Sequence, residues 1–360
     1  MPETLPVHGA RRSDAISIAR VICILGVIYV HAWTGLNGEM LASLRGSTQD
    51  DLRWTLMEIF GRSAVPLLGL ISGWLVAASG RTRDWTGHIA RKARTILLPM
   101  ILWNMLAILF VSGAAWLFGL SAPQPRSLWW VVDEVLILTR NPDINVQMPF
   151  LRDLFLCMVA APLLVRLPDW TLGLIVILAG AAHIAGLGPP VLMRVSILFF
   201  FVLGILTRRH AGEEWIARLP LPLALLPFAL LMAAQLYRTI RLGDGEWLSF
   251  QRSLDLAVRV SAAIAFWRLA WALAGSVVRG LLLRLEPFAF FFFCAHLILI
   301  WLGGPVLGAI FGPMGSSLYP IYLIAQPFVI LAAVIPAGLA LQRIAPGAAS
   351  ILSGGRLRAR

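Results

Sequence analysis

The run Arg20-Val-Ile-Cys-Ile-Leu-Gly-Val-Ile-Tyr-Val-His31 carries an ionisable side chain at each end of an otherwise largely apolar segment. His31 lies eleven residues after Arg20. Eleven residues turn an α-helix to within about 20° of three full turns, so the two side chains are predicted to share one face of a helix. An ionisable side chain near the centre of a bilayer costs about 2.5–3.5 kcal/mol on insertion scales. Two of them in one span indicate a membrane protein with a chemical task rather than a passive anchor.

The composition indicates that most of the chain lies in a membrane. The 360 residues are 59% hydrophobic and 13% charged, whereas soluble domains are roughly half apolar and a quarter charged. A net charge of +12 is also found in nucleic-acid-binding proteins, but here the basic residues are scattered between apolar segments. We therefore predict an all-α integral membrane protein, with no nucleic acid among its partners.

Apolar runs of about 17–25 residues are long enough to cross a bilayer as helices. The sequence predicts about ten such spans in a single membrane domain over residues 1–360, with polar tails at about 1–14 and 343–360. The spans are predicted at residues 15–34, 62–79, 95–118, 148–166, 170–187, 190–206, 219–237, 254–275, 288–312 and 318–342.

The distribution of charge predicts the orientation of the chain. With the amino terminus inside, 17 of the 30 basic residues fall in inner segments and eight in outer loops. This asymmetry is typical of membrane proteins and places both termini in the cytoplasm. The two longest outer loops hold the acidic residues Glu39, Asp50, Asp51, Glu58, Asp133, Glu134 and Asp143.

The cysteines give no sign of a disulfide framework or of a metal site. Cys23, Cys157 and Cys294 all lie in apolar runs and lack the spacing of metal ligands. They are therefore interpreted as small buried apolar residues.

The densest basic cluster runs from Arg81 to Arg94, between the second and third predicted spans. Arg91 and Arg94 are three residues apart and share a helical face. Guanidinium groups suit phosphate oxygens, so the cluster could hold a phosphorylated donor such as coenzyme A. The alternative is a topology signal that contacts anionic lipid head groups.

Several other residues inside the spans have a structural explanation as well as a functional one. Ser72 and Gly73 are small enough for close helix packing, and Asp255 and Arg259 are spaced as an intrahelical ion pair. His296 is a site candidate because it is ionisable within a span, with a structural role as the alternative.

In their order along the chain these motifs resemble the membrane acyltransferase-3 family, whose members O-acylate sugars and polysaccharides. The similar stretches are Arg20 to His31; Arg62-Ser-Ala-Val-Pro66 with Ile71-Ser-Gly-Trp-Leu75; Arg91-Lys-Ala-Arg94 with Leu98-Pro99 and Trp103; Phe150-Leu151 with Ala161-Pro-Leu163; and Phe293-Cys-Ala-His296. The resemblance runs from about residue 14 to 340. The family often has an aspartate three residues before the first arginine, whereas this chain has Ser17 there and Asp14 one turn earlier.

The resemblance implies a multi-pass enzyme of the bacterial inner membrane. Such an enzyme transfers an acyl group, usually acetyl, from cytoplasmic acyl-CoA to a hydroxyl of an extracytoplasmic or lipid-linked glycan. Acyl-CoA is then a donor substrate, and no cofactor is bound permanently. Membrane lipids and the glycan acceptor are the other expected partners.

His31 is predicted as the general base that takes the proton of the sugar hydroxyl, because imidazole titrates near neutral pH. A route through an acyl-histidine intermediate stays open. Arg20 is the second predicted catalytic residue. The predicted acyl-CoA contacts are Arg20, Arg91 and Arg94, and the weaker candidates for acceptor binding or oxyanion stabilisation are Arg62, Arg152 and His296.

Two other classes of protein fit parts of the pattern. A transporter or flippase of a lipid-linked sugar would also have ionisable residues around an aqueous path, but the sequence shows no inverted repeat. A purely structural subunit would not explain why Arg20 and His31 are present, since inserting their ionisable side chains into a bilayer is unfavourable.

Overall fold

The computed structural model describes residues 5–62, 64–188, 191–241 and 248–357, and the regular structure within these ranges is helical. The α-helices are α1 (Leu5–Val30), α2 (Gly38–Ser43), α3 (Thr48–Leu56), α4 (Ala64–Ala78), α5 (Trp85–Lys92), α6 (Leu98–Ala107), α7 (Gly113–Phe118), α8 (Leu128–Leu136), α9 (Pro149–Leu164), α10 (Asp169–Ala185), α11 (Val195–Arg209), α12 (Gly212–Arg218), α13 (Leu221–Arg241), α14 (Leu248–Leu273), α15 (Arg279–Phe311), α16 (Tyr319–Ile344) and α17 (Pro346–Leu352). Short π-helical turns lie at Met57–Arg62, Ala93–Leu97 and Ile108–Ser112, and a 3-10 turn at Gly80–Arg83.

Within the described ranges, seven helical stretches are long and apolar enough to cross a membrane. They are Gly9–Val30, Thr48–Ala78, Trp85–Phe118, Leu221–Thr239, Leu248–Leu273, Arg279–Phe311 and Tyr319–Ile344. Helices α11 and α12 make an eighth if the pair, bent by 84°, counts as one span. The remaining two predicted spans correspond to α9 and α10, which have only 16 and 17 residues. The all-α membrane class is confirmed, whereas the count of ten and the cytoplasmic termini stay predictions.

Helix α3 occupies residues that the sequence predicted as loop. Ser47 caps its first turn, since the Ser47 hydroxyl accepts a hydrogen bond from the Asp50 backbone N–H at 3.3 Å. Asp50 and Asp51 in that first turn suit the positive end of the helix dipole. This capping pattern was readable from the sequence, and it explains why the helical structure begins well before residue 62.

The chain divides into two compact units whose segments alternate along the sequence. The first unit comprises Met1–Cys23, Arg62–Ala90 and Leu156–Glu286. The second comprises Ile24–Gly61, Arg91–Phe155 and Pro287–Arg360.

In the first unit, α4 and α11 pack with their backbones in close contact. A Cβ added to Gly73 would overlap the carbonyl of Phe201, and one added to Gly204 would overlap that of Leu70. Only glycine at these two positions permits the approach. The predicted packing role of Gly73 is therefore confirmed.

In the second unit, the aromatic residues of α15 form much of the interior. The Trp103 ring meets that of Phe291 edge-on with centroids 5.0 Å apart, and Phe150 meets Phe293 at 5.9 Å. The Trp103 indole N–H also donates to the Leu352 carbonyl at 2.9 Å. This bond ties α17, which lies in the predicted polar tail, to α6.

Candidate functional site

His31 follows directly after α1, in a turn where its backbone N–H donates to the Ile28 carbonyl at 3.0 Å. Its ring lies beside the ring of His296, with centroids 5.5 Å apart and planes inclined by 37°. The second unit therefore brings together the predicted general base and one of the predicted acceptor or oxyanion residues.

His296 lies on α15 and is completely buried. Its Nδ1 is 2.7 Å from the Phe293 carbonyl oxygen. A carbonyl can only accept, so Nδ1 carries a proton and donates it to this bond, which leaves Nε2 of the neutral ring as an acceptor. Within the described part of the chain Nε2 has no hydrogen-bond partner. A buried polar atom without a partner calls for an explanation, and the position of this ring beside His31 favours a catalytic one.

His31 also lines a cleft of about 510 Å³ that belongs wholly to the second unit. Its walls come from the turn after α1, the segment after α7, the segment before α9 and one stretch of α15. The lining includes the polar residues Thr34, Asn37, Ser121 and Asp143 and the aromatic residues Trp33 and Trp301. A cleft of this volume, mainly apolar with a few polar groups, is typical of small-ligand sites.

The predicted acyl-CoA contacts Arg91 and Arg94 are both exposed. Arg91 lies in the last turn of α5, and Arg94 in the π-helical turn Ala93–Leu97 that follows. Both residues are thus at the surface, where guanidinium groups can bind phosphate oxygens. Their role as donor contacts stays a prediction.

Arg20 belongs to the first unit and has a carboxylate partner there. Its Nη1 lies 3.2 Å from Glu286 Oε1, and both side chains are less than one-third exposed. Pairing lowers the cost of holding an arginine within an apolar segment. The sequence did not identify Glu286 as this partner, because the two residues are 266 positions apart.

The other predicted arginines differ in their surroundings. Arg152 Nη1 lies 2.7 Å from Oδ1 of the completely buried Asp153, next to it on α9. Arg62 ends the π-helical turn Met57–Arg62 and is exposed. Neither residue is among those that line the cleft beside His31.

A second polar cluster lies in the first unit, between α10 and α14. Asp255 Oδ2 accepts a hydrogen bond from Arg259 Nε at 2.6 Å, which confirms the predicted ion pair. His183 Nε2 lies 3.1 Å from the same oxygen. Nothing in the local sequence connects His183 with this carboxylate, which lies 72 positions away.

Three of the acidic residues predicted for outer loops gather around Arg140 in the second unit. Arg140 lies 3.4 Å from an oxygen of Asp133 and 3.3 Å from one of Glu134. Its Nη1 also lies 2.9 Å from Asp143 Oδ1. The other Asp143 oxygen accepts a hydrogen bond from the Trp130 indole at 2.7 Å. These contacts hold Asp143 in the wall of the cleft.

Asp133 and Glu134 also organise the loop backbone. Burial acts to raise the pKa of Asp133, but hydrogen bonds from Thr139 and Leu138, together with the Arg140 charge, outweigh it and hold the pKa below its ordinary value. Burial raises the pKa of Glu134 despite the N–H bonds that it accepts from Asp143 and Ile144. These acids were predicted to lie in an outer loop, but their common partner Arg140 was not predicted.

Two comparisons with known proteins found matches that cover most of the chain. The model of a family described as an acyltransferase domain matches residues 13–341. The chain is also 29% identical over 377 residues to the succinoglycan biosynthesis protein ExoH of Rhizobium meliloti, covering 98% of this chain and 94% of that protein. No solved structure matches the chain. Among the described residues, no group of three or more histidine, cysteine or acidic side chains could hold a metal ion.

Proposed function

The chain belongs to the membrane acyltransferase-3 family, and from this premise we propose that it is an acyl-CoA-dependent O-acyltransferase that modifies a polysaccharide. The similarity to a succinoglycan biosynthesis protein supports a polysaccharide as the class of acceptor. The acyl group, most simply acetyl, comes from cytoplasmic acyl-CoA. It passes to a hydroxyl of an extracytoplasmic or lipid-linked glycan, in a bacterial inner membrane.

The observation that carries the proposal is the position of His31, which lines a ligand-sized cleft and has a buried imidazole beside it. The acceptor hydroxyl attacks the thioester carbonyl carbon while His31 takes the hydroxyl proton. A C–O ester bond forms, the C–S bond breaks, and the proton passes from His31 to the departing thiolate. Atoms and charge balance without a further reactant.

His296 acts in this scheme as a positioning residue. Its Nδ1–H is engaged by the Phe293 carbonyl, so its ring is fixed in orientation and presents an acceptor nitrogen in the interior of the second unit. A fixed neutral imidazole next to His31 favours one orientation of the His31 ring and stabilises the imidazolium that forms during transfer.

The donor is bound in this proposal by exposed arginines. Arg91 and Arg94 offer paired guanidinium groups to the phosphates of coenzyme A. Arg20, in the first unit, is proposed separately as a residue that contacts acyl-CoA and takes part in catalysis. Because Arg20 is paired with Glu286 at 3.2 Å, a phosphate bound there competes with that carboxylate.

The experiment is complementation of a deletion strain, followed by mass spectrometry of its cell-surface polysaccharide. The wild-type gene is expected to restore an acyl increment whose mass identifies the transferred group, and His31→Gln is expected not to restore it. His210→Gln is the matched control, because His210 is exposed and its Nε2 lies 3.0 Å from a carboxylate oxygen of Asp169 at the surface. Full acylation by His31→Gln, at wild-type abundance in the membrane, would refute the proposed base.

A further inference from the structure

We infer that the cleft beside His31 is the subsite for the acceptor sugar, and that Trp301, Trp33 and Asp143 make it selective for a neutral sugar over an anionic one. This inference rests on the proposed function, whose acceptor class it specifies. It concerns the cleft of about 510 Å³ in the second unit, which is lined by all three residues and by His31.

The two tryptophans supply the apolar part of the subsite. A pyranose ring has apolar C–H faces and a polar hydroxyl edge, and the face of an indole suits the former. The Trp301 indole N–H donates to the Ile144 carbonyl at 3.3 Å, which fixes its ring in the cleft wall. Trp301 is thus held in position by the protein itself before any ligand binds.

Trp33 is held by the backbone of α15. A Cβ added to Gly304 or to Gly308 would overlap the Trp33 indole, so the ring lies directly against these two glycines. The Tyr322 ring meets it edge-on with centroids 6.1 Å apart. A large side chain seated in this way is a rigid wall, and ordering it on ligand binding costs little entropy.

Asp143 supplies the selectivity for charge. Among the described residues that line the cleft, it alone carries a fixed charge. A carboxylate can only accept hydrogen bonds, so it pairs with sugar hydroxyls and repels carboxylate or phosphate groups. Arg140 and Trp130 each bind one of its oxygens, at 2.9 and 2.7 Å, and orient it. The same repulsion disfavours the polyanionic part of coenzyme A in this cleft.

The residues that bind the sugar and the proposed base line the same cleft. A sugar bound between Trp301 and Asp143 occupies the space that His31 faces. One of its hydroxyls is thereby brought next to the proposed base, as proximity catalysis requires. The cleft thus determines which sugar is acylated.

The test is a binding measurement that does not depend on acyl transfer. Purified wild-type protein in detergent is applied to an array of neutral hexose oligosaccharides and uronic-acid oligosaccharides of matched length. We expect binding to neutral glycans that is about tenfold stronger than to uronates, and about tenfold weaker neutral-glycan binding for Trp301→Ala. Asp143→Asn is expected to bring the two classes toward equal binding.

Two controls match these substitutions. Trp116→Ala removes an indole that is 79% exposed on α7, outside the cleft, and Asp51→Asn neutralises an exposed aspartate on α3. Both are expected to bind like wild type. Trp301→Phe keeps an aromatic face and is expected to fall between wild type and Trp301→Ala, which guards against an alanine variant that fails to fold. The inference is overturned if wild type binds no neutral glycan, prefers uronates, or binds neutral glycans equally well after Trp301→Phe and Trp301→Ala.

The outcomes separate this inference from the proposed function. Neutral-glycan binding that depends on Trp301, in a protein that transfers no acyl group, would leave the subsite standing and defeat the transferase proposal. Acyl transfer by Trp301→Ala with an unchanged KM for the glycan would defeat the subsite and leave the transferase proposal standing.

Discussion

The rings of His31 and His296 lie side by side in the second unit, with centroids 5.5 Å apart. Their surroundings differ, because His31 lines the cleft while His296 is completely buried and bonded to the Phe293 carbonyl. This difference suggests a division of roles, in which the accessible imidazole exchanges the proton and the buried one holds it in place.

Replacing the buried ring tests that division. We expect His296→Gln to lower kcat by about tenfold to hundredfold and to shift the pH profile of kcat/KM, because His31 loses its orienting neighbour. KM for acyl-CoA should hardly change. The matched control is His88→Gln, since His88 is also buried and its Nε2 lies 3.1 Å from the Met158 carbonyl oxygen. An unshifted pH profile in His296→Gln would assign His296 a purely structural role.

The double variant Arg91→Gln/Arg94→Gln distinguishes donor binding from a topology signal. Loss of charge-assisted bonds to phosphate, each worth about 1.5–3 kcal/mol, should raise KM for acyl-CoA about tenfold or more, with a smaller effect on kcat. Arg45→Gln, which removes another exposed arginine, should leave KM unchanged. Equal KM values in the double variant and wild type would leave only the topology role.

The glycines beneath Trp33 give a third prediction. A methyl group at Gly308 would overlap the Trp33 indole, so Gly308→Ala should displace that ring and raise KM for the glycan several-fold. Gly303→Ala lies on the same helix with nothing within 4 Å of the added Cβ. It should retain wild-type KM and gain up to about 1 kcal/mol of helix stability. The two variants are compared by initial rates at varied glycan concentration. Equal KM values would contradict the proposal that the Trp33 ring, packed against Gly308, forms part of the glycan subsite.

A fourth prediction concerns pH and the loop around Arg140. Asp133 accepts hydrogen bonds from the N–H groups of Leu138 and Thr139 and from the Thr139 hydroxyl, at 2.8, 2.8 and 2.7 Å. An amide at this position presents only one acceptor oxygen, so Asp133→Asn should lose about 1–3 kcal/mol of stability at neutral pH. The measurement is thermal unfolding in detergent.

The sign of the pH dependence follows from the lowered pKa of Asp133. The stabilisation by its carboxylate is present above the unfolded value of about 3.9 and is lost as the pH falls through the lower folded value. The difference in Tm between wild type and Asp133→Asn should therefore shrink only in acid. Asp51→Asn, at an exposed site, should show a small difference at every pH. A Tm difference between wild type and Asp133→Asn that stays constant at acidic pH would contradict this role of Asp133.

The sequence predicted those features that depend on residues close together in the chain. Hydropathy located a helix for each expected span, and four-residue spacing predicted the Asp255–Arg259 pair. The pairing of Arg20 with Glu286 and of His31 with His296 joins residues more than 260 positions apart. No periodicity reports such contacts, since they depend on how the helices pack.

The cleft was unpredictable for a related reason. Its walls come from four separate segments of the second unit, and its charged residue, Asp143, is placed by Arg140 and Trp130. The sequence showed acidic residues in this region but not that one of them lines the same cleft as His31. The two tryptophans carried no local signal either, because an indole in an apolar segment is ordinarily a packing residue.

The central claim is that the His31 imidazole accepts the proton of the acceptor hydroxyl. Its most direct test is the initial rate of acyl transfer from radiolabelled acetyl-CoA to a glycan by purified wild type and His31→Gln, measured across the pH range. The account predicts a rate at least about a hundredfold lower for His31→Gln, with loss of the ascending limb near neutral pH and unchanged donor binding. A His31→Gln enzyme with the wild-type rate and pH profile would contradict it.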